Sequence, residues 1–110
     1  MTRVTTHVLD TSTGRPGSGI RVDLERVSEP PEHVASGVTD DDGRVAELGP
    51  DDLPAATYQL TFDSGSYFER HGVAAFFPSV AITFSTAASE RHYHVPLLLA
   101  PFAYSTYRGS

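Results

Sequence analysis

Ile20-Arg21-Val22-Asp23-Leu24-Glu25-Arg26-Val27 is the stretch that decides the fold. Ile20, Val22 and Leu24 alternate with the charged Arg21, Asp23 and Glu25, and residues two apart along an extended chain point to the same side. A segment patterned in this way reads as an antiparallel strand with one face on a core and the other in water. The same period recurs on both sides. Val4 to Leu9 alternates loosely and runs into Asp10 to Gly19, a loop dense in glycine and hydroxyl residues. Pro30-Pro31 ends the deciding strand, and a weaker strand is expected from His33 to Thr39.

Asp40-Asp41-Asp42-Gly43 reads as a turn, because aspartate accepts turn geometry and glycine takes positive φ freely. A strand is therefore expected over Arg44 to Leu48, starting just beyond that turn. After a loop from Gly49 to Pro54, Thr57 to Asp63 alternates again, with Tyr58, Leu60 and Phe62 on one face. Val80 to Thr86 and Arg91 to Leu99 are further strands joined by a turn at Ala87 to Glu90, and Tyr104 to Arg108 is a last one. A single short helix fits Ser64 to Gly72, capped by Ser64 or Ser66 and ended by Gly72. Seven or eight short strands at near-regular spacing, with one helical turn, point to an all-β sandwich with Greek-key connections. Strands do not alternate with helices, so doubly wound and barrel α/β folds are excluded.

A chain of 110 residues suits one domain, and at this size a fold buries roughly two-thirds of its unfolded surface. There is no cysteine, which removes disulfides, thiolate zinc sites and cysteine nucleophiles. All eight basic residues are arginine, so neither a Schiff-base nor a phosphate-loop lysine is available. Fourteen acidic residues bring the net charge to −6, the wrong sign for nucleic acid or an anionic membrane. No apolar run is long enough to cross a bilayer. Met1 to Asp10 has neither the basic start nor the apolar centre of a signal peptide, so a cytoplasmic protein is expected.

Candidate chemistry starts at His92-Tyr93-His94. On a strand both imidazoles share a face, with Cα atoms about 6.5–7 Å apart. Such a pair suits acid–base chemistry, substrate binding, a three-histidine zinc site completed from another strand, or merely a solvent-facing edge. His7 shares a face with Thr5 and Leu9 near the start of the first strand. Arg44 is either a partner for Asp40 to Asp42 or a fixed cation for an anionic substrate. Leu97 to Tyr107 stays apolar and aromatic, and the plain expectation for Tyr104 and Tyr107 is core packing. A serine triad finds no support, since no Gly-x-Ser-x-Gly elbow exists. His33 and His71 are expected to be structural or exposed.

Two runs carry a resemblance. Thr6-His7-Val8-Leu9-Asp10-Thr11 with Gly14-Arg15-Pro16, and His92-Tyr93-His94-Val95-Pro96-Leu97-Leu98 with Tyr104-Ser105-Thr106-Tyr107-Arg108-Gly109-Ser110, resemble the signatures of the 5-hydroxyisourate hydrolases, the transthyretin-related enzymes of urate breakdown. Thr39-Asp40 to Gly43-Arg44 and Tyr67-Phe68 to Phe76-Phe77-Pro78 resemble that family too, so the likeness covers residues 1–110 in order, as one domain. The terminal Tyr-Arg-Gly-Ser separates the hydrolases from the hormone-carrying transthyretins. Ala100 and Ala103 depart from the serine and glycine common there.

The resemblance implies a transthyretin-like sandwich of two four-stranded sheets, a homotetramer, and sites in grooves between dimers. It implies hydrolysis of 5-hydroxyisourate to 2-oxo-4-hydroxy-4-carboxy-5-ureidoimidazoline with no metal or organic cofactor. Residue by residue, it assigns His7, Arg44 and His94 to catalysis, and Tyr107, Arg108 and Ser110, with His7 and Arg44, to substrate binding. His92 shares the face of His94 and is a candidate supporting residue only. The competing classes are a transthyretin-like carrier of small ligands and a catalytically idle homologue.

Overall fold

The computed structural model describes residues 2–110; Met1, which opens the domain expected over residues 1–110, lies outside them. In chain order the elements are β1 (Arg3–Asp10), β2 (Arg15–Pro16), β3 (Arg21–Arg26), β4 (Glu32–Val38), β5 (Thr57–Phe62), α1 (Ser64–Arg70), β6 (Val80–Ser85), β7 (His92–Ala100) and β8 (Ala103–Thr106). They form two four-stranded sheets, ordered β2-β1-β7-β8 and β4-β3-β5-β6. The second sheet is antiparallel throughout, its β3–β4 pair slipping register between Leu24 and Glu25. In the first sheet the long return of the chain lays β7 parallel to β1, from Arg3 opposite His92 to Asp10 opposite Leu99.

Alternation explains the sandwich. Val4 and Val8 of β1, Val22 and Leu24 of β3, Tyr58, Leu60 and Phe62 of β5, and Val95, Leu97 and Leu99 of β7 all turn inward into one apolar core. Each such side chain contributes about 1.5–3 kcal/mol by leaving water. Polar residues on the inner face of β1 are satisfied. The Thr6 hydroxyl donates to the Val95 carbonyl at 2.7 Å, and Asp10 accepts from the Tyr67 hydroxyl at 2.7 Å and the Ser12 hydroxyl at 2.6 Å. The Tyr67 contact fastens α1 to the end of β1. Among the described residues no helix is long and apolar enough to cross a membrane.

Three expectations are corrected. Arg44 to Leu48 is not a strand: only Arg44 makes a β-bridge, and the eighth strand is Arg15–Pro16 instead. The reason lies in the burial pattern, because Val45 and Leu48 go inward while Ala46 and Glu47 stay exposed. That spacing of three cannot be met by a pleated segment of period two. The helix is capped by Asp63 rather than Ser64 or Ser66. Its carboxylate accepts from the Ser66 backbone N–H at 3.3 Å and the Ser66 hydroxyl at 2.7 Å, while Ser64 is buried. A carboxylate at this end also meets the positive pole of the helix. Gly72 follows the C-cap His71 with φ +65°, as a terminating glycine should. Finally, Tyr104 and Tyr107 are 41% and 58% exposed rather than core residues. All of β8 is exposed, since it lies at the sheet edge with β7 as its one strand neighbour. Ala100 and Ala103 pair across the tight hairpin that joins β7 to β8, so both alanines fit there.

Candidate active site

Because Val4, Thr6 and Val8 of β1 and Tyr93, Val95 and Leu97 of β7 face the core, the residues between them face outward together. Thr5 and His7 on β1, and His92 and His94 on β7, are therefore half-buried on the outer face of the sheet. Register puts Thr5 directly beside His94. The Thr5 hydroxyl lies 2.8 Å from His94 Nδ1 and 2.7 Å from His92 Nε2, and the two rings stand 6.2 Å apart.

The aspartate-rich turn delivers Arg44 to the same face. Asp40 Oδ1 accepts from the backbone N–H groups of Asp42 and Arg44 at 2.9 and 3.0 Å, and the Asp40 N–H donates to the Arg44 carbonyl at 2.7 Å. The Arg44 backbone hydrogen bond leads the effects that hold the Asp40 carboxyl below its ordinary pKa. Gly43, at φ +78°, then offers its carbonyl to the Val8 N–H at 2.8 Å. A Cβ at this position would run into the Val8 carbonyl oxygen, so glycine is needed for the turn to touch β1. Arg44 is thereby held opposite His7 in an isolated antiparallel bridge. Its side chain is exposed and forms no ion pair among the described residues, so the expected pairing with Asp40 to Asp42 is confined to the backbone.

The C-terminal segment completes the arrangement. The Gly109 N–H donates to the His94 carbonyl at 2.8 Å and lays Ser110 beside the histidines. A groove of about 320 Å³ results, lined by Thr5, Arg44, Val45, His92, His94 and Ser110. His7 flanks it across the bridge from Arg44. Burial and then the positive fields of His92, His7 and Arg44 push the His94 pKa below its ordinary 6.5, against an opposing hydrogen bond with the Thr5 backbone.

Tyr107 and Arg108 do not join this groove. Arg108 lies over the Tyr93 ring at 4.5 Å and pairs with Glu90 at 3.5 Å, in a neighbouring depression that shares His92 and Ser110. Tyr107 faces a separate cavity of about 240 Å³ between β6 and β8, with Ile82, Phe84 and Val95. His33 is exposed, and His71 caps α1, as expected for bystanders. Among the described residues no group of three His, Cys, Asp or Glu side chains is arranged to hold a metal ion. The residue that sequence reasoning passed over is Thr5, whose position on the face of His7 was visible but whose reach to two histidines depends on the β1–β7 register.

Residues 4–109 match the model of the HIUase/Transthyretin family. The chain belongs to that family. A 5-hydroxyisourate hydrolase of Pseudomonas aeruginosa is 44% identical over 100% of this chain and 93% of its own length. The structure of Klebsiella pneumoniae 5-hydroxyisourate hydrolase superposes with a TM-score of 0.91 at 42% identity, covering 100% of both chains. Sparus aurata transthyretin superposes equally well, with a TM-score of 0.91, at 26% identity over 99% of this chain and 97% of that one.

Since both names occur on one HIUase/transthyretin backbone, the fold does not choose the activity and the side chains must. The groove offers an imidazole at His94 whose pKa is held below the ordinary value, a second histidine across from an arginine, and a guanidinium without a carboxylate partner among the described residues. Histidine exchanges protons near neutrality, and an unpaired arginine attracts and stabilises developing negative charge.

Proposed function

We propose that the protein is a 5-hydroxyisourate hydrolase that opens the ring amide to give 2-oxo-4-hydroxy-4-carboxy-5-ureidoimidazoline in urate catabolism. The observation that carries this reading is the convergence of Arg44, His94 and Ser110 on one groove, with His7 bridged to Arg44. The full-length similarity to 5-hydroxyisourate hydrolases supports it.

Amide hydrolysis needs an activated water, a polarised carbonyl and a protonated leaving nitrogen. His7 and His94 activate and position the water and return a proton to the nitrogen. Arg44 holds substrate oxygens and stabilises the charge that develops on the attacked carbonyl. Ser110 contributes its hydroxyl at the groove wall. Tyr107 and Arg108 close and line the groove in the assembled protein. No metal or organic cofactor takes part, so a strong chelator leaves the rate unchanged.

The active form in this reading is a homotetramer of single domains, each spanning residues 1–110, in the cytoplasm. Exposed apolar residues support association, with Phe102 68% and Phe76 71% accessible, and the outer edges of β6 and β8 have no strand partner among the described residues. Sedimentation at micromolar concentration tests the oligomer. The activity test is a spectrophotometric time course on freshly generated 5-hydroxyisourate, whose decay rate rises in proportion to added protein. Decay indifferent to the protein contradicts the assignment.

A further inference from the structure

The Thr5 hydroxyl stands between two imidazole nitrogens, 2.7 Å from His92 Nε2 and 2.8 Å from His94 Nδ1. A hydroxyl carries one proton, so it donates to one histidine and accepts from the other. Among the described residues it has no other side-chain partner. We propose that Thr5 relays a proton between His94 and His92, so that His94 takes a proton from the attacking water without becoming charged. The proposal rests on the hydrolase reading and assigns a positioning residue to it.

The transfers balance. At rest His94 carries its proton on Nδ1 and donates it to Thr5 Oγ1, while the Thr5 hydroxyl donates to His92 Nε2. His94 Nε2 is then unprotonated and free to act as base. As it accepts a proton from water, its Nδ1 proton moves to Thr5 Oγ1 and the hydroxyl's own proton moves to His92 Nε2. Water becomes hydroxide and adds to the ring carbonyl carbon, and the π electron pair goes to the carbonyl oxygen. The positive charge ends on His92; the oxyanion's electron pair then re-forms the carbonyl as the ring C–N bond breaks, and the reverse passage lets His94 Nε2 hand its proton to the leaving nitrogen.

The surroundings favour this direction. His94 is half-buried and faces His7 from β1, Arg44 from the turn and His92 on its own strand, all unfavourable to a charge on its ring. His92 instead borders an open depression of about 730 Å³ that also contains Arg3, Asp51 and Arg91. The depression opens to solvent and has the Asp51 carboxylate in its wall, with Arg3 and Arg91 opposing an imidazolium.

The test compares the full chain with Thr5→Val, which keeps the shape and removes the hydroxyl, and Thr5→Ser, which keeps the hydroxyl. Turnover of 5-hydroxyisourate is measured in mixtures of H2O and D2O, and ¹⁵N NMR reads the histidine tautomers without substrate. The relay predicts a fall in kcat of about 10²-fold for Thr5→Val with little change in KM, and recovery of most of it in Thr5→Ser. It predicts a curved dependence of rate on deuterium fraction in the wild type that becomes linear in Thr5→Val. It also predicts that resting His94 carries its proton on Nδ1, a preference lost in Thr5→Val. A Thr5→Val enzyme within threefold of wild type, or a wild-type His94 protonated on Nε2, overturns the relay. A wild-type protein without activity defeats the hydrolase reading, while the NMR arm still decides the hydrogen-bond pairing.

Discussion

Gly109 presses its backbone against the imidazole of His94 so closely that a Cβ there would stand 2.6 Å from His94 Cδ2 and 3.2 Å from Pro96 Cγ. The same glycine donates its N–H to the His94 carbonyl at 2.8 Å. Side-chain absence at this position therefore sets both the tilt of a proposed catalytic ring and the placement of Ser110.

Gly109→Ala is accordingly expected to displace either the ring or the segment carrying Ser110. A misplacement near 1 Å at a reacting group costs about 10²-fold in rate, so kcat/KM should fall by roughly that factor. The core between the sheets is untouched, and the thermal midpoint should stay within a few degrees. Wild-type activity in Gly109→Ala, measured on fresh 5-hydroxyisourate, means that this contact does not organise the site.

The Tyr67 hydroxyl on Asp10 predicts a pH-dependent share of stability. Burial raises the Asp10 pKa, but hydrogen bonds from Ser12, Tyr67 and the backbone of Ser12 and Thr13 outweigh it, and the folded value lies below 3.8. A carboxylate with a depressed folded pKa contributes stability above its unfolded pKa and loses it as pH falls through the folded value. The same contact, after burial, helps push the Tyr67 hydroxyl up to about 12. Tyr67→Phe should cost about 1–3 kcal/mol near neutrality, and the difference from wild type should shrink as denaturation is repeated at pH values below about 4. A difference that does not vary between pH 7 and pH 3 removes Asp10 from the explanation.

His94 supplies a second pH prediction. Burial comes first and the His92 charge second among the causes lowering its pKa, with His7 and Arg44 adding to them. His92→Gln removes one of those opposing charges, so the NMR titration midpoint of His94 should rise toward its ordinary value of 6.5. The acid limb of a rate profile governed by neutral His94 should move to higher pH with it. A midpoint that stays or falls in His92→Gln contradicts the arrangement of the two rings.

How far the sequence discloses this protein depends on which interactions are local. The period-two stretches over Val4 to Leu9, Ile20 to Val27 and Thr57 to Asp63 disclose strands, because burial of one face imposes its pattern on the residues themselves. The same rule places His92 and His94 on one face, and Thr5 with His7. It fails at Arg44 to Leu48, where Val45 and Leu48 turn inward three residues apart and pairing stops at Arg44. Nor does any local signal announce that β7 lies parallel to β1, for that pairing joins residues more than eighty positions apart. The Thr5 bridge between the histidines follows only from this register. Tyr104 and Tyr107 mislead for a related reason, since aromatic residues at a sheet edge look like core until the edge is known. The resemblance, not the spacing, singles out His7, Arg44 and Ser110, and the folded chain brings them around His94.

The most direct test of the account is the loss of 5-hydroxyisourate followed spectrophotometrically with wild type, His7→Ala and Arg44→Ala, against the spontaneous decay. The account predicts a rate proportional to wild-type protein and a drop of about 10²–10³-fold in kcat/KM for each variant, with both variants folded. Variants as fast as wild type contradict the assignment of His7 and Arg44, and folded wild type that leaves the spontaneous decay unchanged would make the groove a binding site or an idle one.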